Sequence, residues 1–270
     1  HTFGPLIHNR TVTDDLKSRG VDIVTNLDDV KDGDTLIVRS HGQTKAFFDE
    51  AEGRNINLVN ATCPFVKRIH GLVEKAKEEG YTIIIVGDRT HPEVIGINGW
   101  CDNSAVIVND ESEIPEDITE RGKLYLVAQT TIRKQVFDDV VSALKEKNAD
   151  ITVENTICDA TKKRQESTGK LAAECDAMVV IGSQDSSNTK KLFQIAQNSC
   201  KNTFFVEKIE DLPLQDLKKC NKIGLTAGAS TPDGQIKEVY TSMSEIKEMS
   251  MEELLAQEGY GLDGAMRLPR

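Results

Sequence analysis

Two of the six cysteines stand in loops that suit a metal centre. Cys63 and Cys158 each end an Asn-x-x-Cys sequence, and each directly precedes a helical pattern. The N-terminus of a helix stabilises a thiolate through its dipole and its free amide groups, and the thiolate is the form that binds iron or attacks an electrophile. The two cysteines are therefore candidates for one shared centre. The alternative is that both are thiols beside helix starts, without a role.

The other four cysteines are predicted to be small buried or half-buried side chains. Each lies at the end of a helical pattern or just after one, and no pair forms CxxC or a zinc-ribbon spacing. Because the sequence shows no export signal, these thiols are expected to be reduced. The four are Cys101, Cys175, Cys200 and Cys220.

Three of the five histidines fall in loops that follow apolar or turn segments: His8, His41 and His91. A single loop histidine is more often a hydrogen-bonded turn residue than a ligand. Three in equivalent positions of an acidic chain are better explained as donors to an anionic substrate. His70 is predicted to lie on a helix surface and His1 is terminal, so neither is assigned a role.

Glu93 stands two residues after His91, at the start of a helix. A glutamate in this place commonly does no more than complement the helix dipole. With a histidine in the same loop it can also take part in proton transfer, and we treat it as the candidate acid.

Two further loops have the composition of an anion site. Residues 182–188 (Gly-Ser-Gln-Asp-Ser-Ser-Asn) and 228–231 (Gly-Ala-Ser-Thr) combine small residues, which allow close backbone approach, with neutral hydroxyl and amide donors. The sequence contains no GxxxxGK[ST], and its one GxGxxG match, at 259–264, does not follow a predicted strand, so nucleotide binding has no positive support.

The elements that must position these residues alternate between strand and helix. Short apolar runs stop abruptly in the polar loops; they begin at Thr35, Ile56, Thr82, Leu124, Met178 and Lys222, and a weaker one precedes Asn155. Helices are predicted at about 11–19, 44–52, 65–79, 132–147, 161–175, 187–199 and 232–246. Such alternation predicts parallel sheets, and ligands of α/β folds bind at the carboxyl ends of the strands. The even interleaving favours several small sheets over one wide sheet.

Length and charge limit the functions that this chain can have. The 270 residues include 29% charged and 38% hydrophobic side chains, with a formal net charge of −11. This balance argues against nucleic-acid binding by this part of the chain, because phosphate neutralisation needs clustered Lys and Arg. No apolar stretch approaches the roughly 20 residues that span a bilayer, so we expect a cytoplasmic protein with no membrane association. The chain opens in mid-pattern without a Met, and we expect that its natural N-terminus is absent.

Seven motifs, in order over about residues 4–233, resemble the 4-hydroxy-3-methylbut-2-enyl diphosphate reductase family. They are Gly-Pro-Leu-Ile-His-Asn (4–9), Ser-His-Gly (40–42), Ala-Thr-Cys-Pro (61–64), His-Pro-Glu-Val (91–94), Gln-Thr-Thr (129–131), Thr-Ile-Cys-Asp-Ala-Thr (156–161) with Arg-Gln-Glu (164–166), and Gly-Ser-x-x-Ser-Ser-Asn (182–188) with Thr-Ala-Gly-Ala-Ser-x-Pro-Asp (226–233). Each motif alone is weak, whereas the ordered set is highly specific.

The resemblance implies an α/β fold of three small domains with parallel sheets, in a trefoil arrangement around a central cavity for cluster and substrate. The boundaries expected here are 1–62 for the first domain, completed by 233–247, then 63–151 and 152–232, with 248–270 as a tail or linker. It also implies a [4Fe–4S] cluster, for which Cys63 and Cys158 match two of the three protein ligands. The third ligand belongs to an N-terminal Gly-Phe-Cys-x-Gly-Val segment that this sequence does not contain.

The implied reaction is reductive dehydroxylation of an allylic alcohol diphosphate to isopentenyl and dimethylallyl diphosphates, with electrons from a donor such as ferredoxin or flavodoxin. Glu93 would deliver protons, and Thr130 and His91 would assist at the reacting hydroxyl. The residues that would bind the substrate are His8, His41, His91, Thr130, Ser186, Ser187, Asn188 and Ser230.

Two alternatives stay open on the sequence. One is another three-cysteine iron–sulfur enzyme, of the quinolinate synthase kind, which would need carboxylate-binding Arg rather than the loop 182–188. The other is an inactive fragment without a cluster, which the absent third cysteine favours.

Overall fold

The computed structural model describes residues 1–247, which form three sheets whose strand pairings are all parallel. The strands are β1 Thr2–Phe3, β2 Ile23–Val24, β3 Thr35–Val38, β4 Asn57–Asn60, β5 Thr82–Val86, β6 Val106–Val108, β7 Leu124–Ala128, β8 Ile151–Val153, β9 Ala177–Ile181, β10 Thr203–Val206 and β11 Ile223–Ala227. The predicted α/β class with several small parallel sheets is therefore confirmed.

Helices follow most of the strands. They are α1 Arg10–Ser18, α2 Lys45–Glu52, α3 Pro64–Glu78, α4 Pro92–Gly99, α5 Lys134–Glu146, α6 Asp159–Glu174, α7 Ser187–Ser199, α8 Leu214–Leu217 and α9 Asp233–Lys247. Seven of them match the helices that the periodicity predicts. Helix α4 has no polar face that contrasts with an apolar one, and α8 has only four residues, so neither shows a periodic pattern in sequence.

Two compact units make up the chain, His1–Glu166 and Ser167–Arg270. The first unit holds a sheet of order β2-β1-β3-β4 and a sheet of order β6-β5-β7-β8. The second unit, within its described residues, holds the sheet of order β10-β9-β11. In both β5 and β9 the strand lies inside its sheet, so its carboxyl end opens between neighbouring strands.

Burial on both faces explains the near-continuous apolar runs of these central strands. In β5, Ile84 and Val86 face a core that includes Val140 of α5, whereas Ile83 and Ile85 face one that includes Ile69 of α3. The side chains alternate because the strand period is two. Full burial of one such side chain contributes roughly 1.5–3 kcal/mol, which holds the central strand and its loop in place.

Helix boundaries follow the local chemistry that the sequence shows. Pro64 and Pro92 occupy the first turns of α3 and α4, where the missing amide hydrogen costs nothing. Gly20 and Gly80 follow the ends of α1 and α3 with φ of 83° and 82°, a conformation that glycine adopts without strain.

Helix α9 packs on the third sheet. Its Val239 and Met243 lie in one core with Val179 and Ile181 of β9, whereas we expected residues 233–247 beside the first sheet. The domain boundaries themselves stay a prediction, and the predicted tail at 248–270 lies outside the described residues.

Within the described part of the chain, no helix combines the length and the apolar character needed to cross a membrane.

Candidate active site

Three histidine side chains meet in the first unit. The ring centroids of His8 and His41 are 4.4 Å apart, and each lies 5.4 Å from the ring of His91. One nitrogen from each ring lies within 4.8 Å of the others. The structure thus brings together the three loop histidines that the sequence singles out, and we call them the three-histidine group.

Strand order explains why these side chains converge. His8 follows β1 and His41 follows β3, and these two strands are hydrogen-bonded neighbours with Phe3 opposite Val38. Parallel neighbours end at the same edge of their sheet, so their loops lie side by side. His91 comes from the loop after β5, the interior strand of the second sheet.

His41 is held neutral. The pKa of His41 is lowered to about 2, mainly by burial and also by the nearby His8, His91 and Arg39. Its Nδ1 atom is buried and has no hydrogen-bond partner among the described residues. At neutral pH the side chain is therefore an imidazole that can exchange a hydrogen bond with a ligand but carries no charge of its own.

His91 caps helix α4. Its Nδ1 accepts a hydrogen bond of 3.2 Å from the backbone N–H of Glu93. An accepting Nδ1 carries no proton, so the neutral ring has its proton on Nε2. The cap thus fixes which nitrogen of His91 can donate to a ligand.

Glu93 is locked to the neighbouring loop after β7. Thr130 donates to its two carboxylate oxygens, from the backbone N–H at 2.6 Å and from Oγ1 at 2.8 Å. The Glu93 side chain is only 2% exposed and Thr130 only 7%. Gln129 braces the same corner, since its Oε1 accepts from the N–H of Asp88 at 3.2 Å. A carboxyl group in such a dry, fixed position is suited to proton transfer.

Backbone hydrogen bonds connect both candidate metal ligands to this region. The N–H of Cys63 donates to the carbonyl of Ser40, the residue before His41, at 3.0 Å. The N–H of Cys158 donates to the carbonyl of Thr130 at 3.0 Å. Both thiols are free and half-buried.

An ion pair joins the elements that carry the two cysteines. Arg68, in the second turn of α3 after Cys63, pairs with Glu154, four residues before Cys158. Cys63 is the N-cap of α3, and α6 begins directly after Cys158. The helix starts predicted at both cysteines are confirmed.

His70 corrects one expectation from the sequence. It is 3% exposed rather than on a helix surface, and its ring stacks on Trp100 at 5.1 Å with a tilt of 15°. Burial lowers its pKa to about 4. A Cβ at Gly42 would come within 2.6 Å of this ring, so His70 lies under the loop of His41. The pattern misled because the α3 face at His70 is covered by another part of the first unit.

Arg39 is a second residue that sequence reasoning missed. It stands two residues before His41, and its charge is among the causes that lower the pKa of His41. The signal in the sequence was its position at the end of an apolar run, in Arg39-Ser-His-Gly42.

Three of the other cysteines are buried, and Cys175 is half-buried. Burial raises the pKa of Cys101 and of Cys175 to about 11. The prediction that these four cysteines are buried or half-buried is confirmed.

The second unit presents the hydroxyl and amide residues. Ser186 caps α7, with its Oγ accepting from the N–H of Thr189 at 3.3 Å. Asn188 is 5% exposed, and neither its Nδ2 nor its Oδ1 has a hydrogen-bond partner among the described residues. Ser187 and Ser230 are half-buried. Buried amides normally find partners, so this amide has hydrogen-bonding capacity left over for a ligand.

Glycines keep this second loop small. Gly182, with φ of 146°, and Gly228 both abut Thr189, whose Oγ1 would lie 2.7 Å and 2.0 Å from a Cβ at these positions. Any larger residue would displace the start of α7, which is the reason for the small residues in both motifs.

The fold and the site define an α/β protein in which thiols, imidazoles and a buried carboxylate lie at the carboxyl ends of parallel strands. This combination of side chains is typical of an enzyme. Comparison with known proteins identifies the family within this class. The chain belongs to the LytB protein family, whose model matches residues 1–244.

Relatives with assigned names agree with this membership. The chain is 44% identical over 249 residues to the 4-hydroxy-3-methylbut-2-enyl diphosphate reductase of Thermoanaerobacter sp. (strain X514), covering 92% of this chain and 86% of that protein. It is 46% identical over 246 residues to the enzyme of the same name from Clostridium tetani, covering 90% of this chain and 38% of that longer protein.

Solved structures are similar as well. The Plasmodium falciparum E-1-hydroxy-2-methyl-but-2-enyl-4-diphosphate reductase has a TM-score of 0.84 at 31% identity, over 90% of this chain and 77% of that one. A reductase described as the terminal enzyme of the non-mevalonate pathway has a TM-score of 0.66 at 38% identity, over 90% and 87% of the two chains.

Proposed function

We propose that this chain catalyses the reductive dehydroxylation of (E)-4-hydroxy-3-methylbut-2-enyl diphosphate to isopentenyl and dimethylallyl diphosphates. One structural feature carries the proposal: a continuous path of hydrogen bonds that begins at a candidate metal ligand. It runs from the N–H of Cys158 to Thr130, from Thr130 to Glu93, and from the N–H of Glu93 to His91. Metal ligand, proton donor and anion-binding imidazole are thereby held in one network.

Substrate binding is assigned to neutral donors at strand ends. In the first unit, His8, His41 and His91 would hold the diphosphate, with Thr130 beside the reacting hydroxyl. In the second unit, the same class of contact is assigned to Ser186, Ser187, Asn188 and Ser230. The buried, unpartnered amide of Asn188 supports this role, because a diphosphate oxygen would accept its N–H.

Cys63 and Cys158 fit the iron–sulfur cluster that the family implies. Thiolates are the protein ligands of such clusters, and both residues are free, half-buried thiols at helix starts. When bound, a [4Fe–4S] cluster supplies electrons and an iron site that is open to the substrate hydroxyl.

The chain's own contribution to the reaction is positioning and proton transfer. The leaving hydroxyl must take up a proton before it departs as water, and Glu93 is the acidic group whose orientation is fixed at this place. Thr130 holds both oxygens of that carboxyl, so the direction of proton transfer is set by the pairing of the β5 and β7 loops. His91 fixes the backbone at the start of α4 and assists at the same corner.

The direct test is an anaerobic assay. A form of the protein that also carries the family's third cysteine is reconstituted with iron and sulfide, reduced with a viologen dye and given the allylic diphosphate. We expect both isoprenoid diphosphates as products, and iron loss in Cys63→Ser and Cys158→Ser but not in Cys101→Ser. A fully loaded protein that leaves the substrate unchanged would refute the proposal.

We further propose that the electrons come from a small carrier such as ferredoxin or flavodoxin, in the cytoplasm. A chemical reductant in the assay separates this proposal from the catalytic one. If reduced ferredoxin and flavodoxin both fail to support turnover that the dye supports, the donor assignment is wrong and the reaction assignment stands.

A further inference from the structure

Within the three-histidine group, His41 brings no positive charge to a diphosphate. The pKa of His41 is lowered to about 2, so that this residue is neutral at physiological pH. The neighbouring Glu93 is a buried carboxyl group, which contributes negative charge whenever it is ionised. A diphosphate carries several negative charges, and binding it in a desolvated site requires an opposing cation nearby.

Arg39 is placed to be that cation. It follows β3 directly, in the turn that leads to His41, where its carbonyl accepts from the N–H of Gly42 at 3.1 Å. Its guanidinium lies against the loop after β1, since a Cβ at Gly4 would come within 2.7 Å of Nη1. Gly4 begins the segment that leads to His8. The guanidinium therefore touches one of the two neighbouring histidine loops and belongs to the other.

The environment of Arg39 is incomplete without an anion. Its Nε is buried and has no hydrogen-bond partner among the described residues. Burial lowers the pKa of its guanidinium, which shows that the charged form is partly desolvated here. By contrast, Arg54 in the same unit pairs with Asp28 at 2.7 Å and with Glu50 at 2.6 Å. A half-buried guanidinium that has no counter-ion among the described residues is costly, and a bound diphosphate would remove that cost.

We infer that Arg39 supplies the positive charge that holds the diphosphate at the three-histidine group. This inference rests on the proposed function and adds a binding residue to it. The histidines then provide directional hydrogen bonds, and Arg39 provides the charge that the neutral His41 cannot. Because the arginine stands beside Gly4, a larger residue at position 4 would displace the guanidinium as well as strain a backbone with φ of 70°.

Inorganic pyrophosphate is the probe that isolates this contribution, because it carries the charge of the substrate and none of its carbon chain. Calorimetric titration compares the unaltered chain with Arg39→Gln, Arg39→Lys and Arg54→Gln at low and high salt. We expect Arg39→Gln to bind roughly 10- to 100-fold more weakly, as the loss of a charge-assisted hydrogen bond predicts. Its affinity should also depend less on salt. Arg39→Lys should recover part of the loss.

Arg54→Gln is the matched control, since it removes one positive charge from the same unit at an exposed ion pair. It should bind pyrophosphate as the unaltered chain does. Equal affinity of the unaltered chain, Arg39→Gln and Arg54→Gln would overturn the role of Arg39 while leaving the diphosphate site intact. Absence of pyrophosphate binding in every form would refute the site itself, and Arg39 with it. If Arg39→Gln does not fold, the pyrophosphate affinities of Arg39→Lys and Arg54→Gln are compared instead, and equal affinities would overturn the role of Arg39.

Discussion

Two strand–loop–helix corners occupy equivalent places in different sheets, and they differ in how their polar groups are satisfied. The corner between β5 and α4 carries His91 and Glu93, and the corner between β9 and α7 carries Ser186 and Asn188. Both strands lie inside their sheets, and in both corners the N-cap side chain accepts a backbone N–H, at 3.2 Å for His91 and 3.3 Å for Ser186.

The two corners differ at the polar residue that stands two positions after the N-cap. Glu93 is held at both carboxylate oxygens by Thr130 from the adjacent loop. Asn188 is equally buried, but neither polar atom of its amide has a partner among the described residues. A proton donor must be fixed in direction before the substrate arrives, whereas a neutral binding group can wait for the ligand to complete its hydrogen bonds. One framework thus yields a corner whose carboxylate is held in place and a corner whose buried amide is unsatisfied, as the proposed catalytic and binding roles require.

The largest expected effect tests the fixed corner. Glu93→Gln keeps the size of the side chain and its contacts with Thr130 but removes the transferable proton. General acid catalysis is typically worth about 10²–10⁴-fold, so turnover should fall by that range while substrate still binds. Single-turnover kinetics in the cluster-loaded protein measure this, with the exposed Glu111→Gln as control. Near-normal turnover would mean that Glu93 does no more than complement the dipole of helix α4.

The unsatisfied corner predicts the opposite pattern. Asn188→Ala should weaken pyrophosphate binding by roughly 10- to 100-fold, with cluster absorbance intact and no loss of thermal stability, because no hydrogen bond of the free protein is removed. The matched change is Asn98→Ala, whose Oδ1 accepts from the N–H of Ala105 at 3.0 Å. That variant should lose stability and bind normally. Loss of stability in Asn188→Ala would mean that its loop is structural.

Protonation of histidines in acid should lower the stability of the first unit and not of the second, because all five histidines lie at or before residue 91. The pKa of His70 in the folded chain is about 4, below its ordinary 6.5. The folded state therefore resists protonation, and the stability that His70 contributes is fully present above about pH 6.5 and is lost as pH falls toward 4. From pH 6.5 to 5 this amounts to about 2 kcal/mol.

Amide hydrogen exchange at pH 6.5 and at pH 5 shows in which strands this stability is lost. Amide protection in β5 and β7 should fall in the unaltered chain and fall less in His70→Phe, which keeps a ring against Trp100. Protection in β9 and β11 should be independent of this substitution. An identical pH dependence in the variant would show that His70 is not the titrating group.

The smallest expected effect concerns the feature that the corners share. Ser186→Ala removes the side-chain cap of α7 and should lower the free energy of unfolding by about 1 kcal/mol. Ser199→Ala, at the exposed C-terminal end of the same helix, serves as the control. If chemical denaturation finds the two variants equally stable, the cap of α7 does not contribute, and the resemblance between the corners is limited to geometry.

The sequence was sufficient for the fold class and for most of the elements. Apolar runs such as 82–86 and 124–128 are long enough to identify as strands, and Pro64 and Pro92 mark helix starts by their missing amide hydrogens. The strands β1, β6 and β10 were not identified, and the first two have only two and three residues. Segments this short carry too little periodicity and become strands because a neighbouring strand completes their hydrogen bonds.

The amino-acid sequence alone shows which residue types stand at strand ends: thiols at 63 and 158, imidazoles at 8, 41 and 91, and a carboxyl group at 93. These are local properties, since an apolar run and a helix start are encoded within a few residues. Three further facts follow from the folded chain: Thr130 binds Glu93, Arg39 lies against Gly4 with no counter-ion among the described residues, and His70 is buried under Gly42. Each of these pairs is separated by about 30 residues or more along the chain, and strand order and packing, rather than local pattern, set which distant side chains meet.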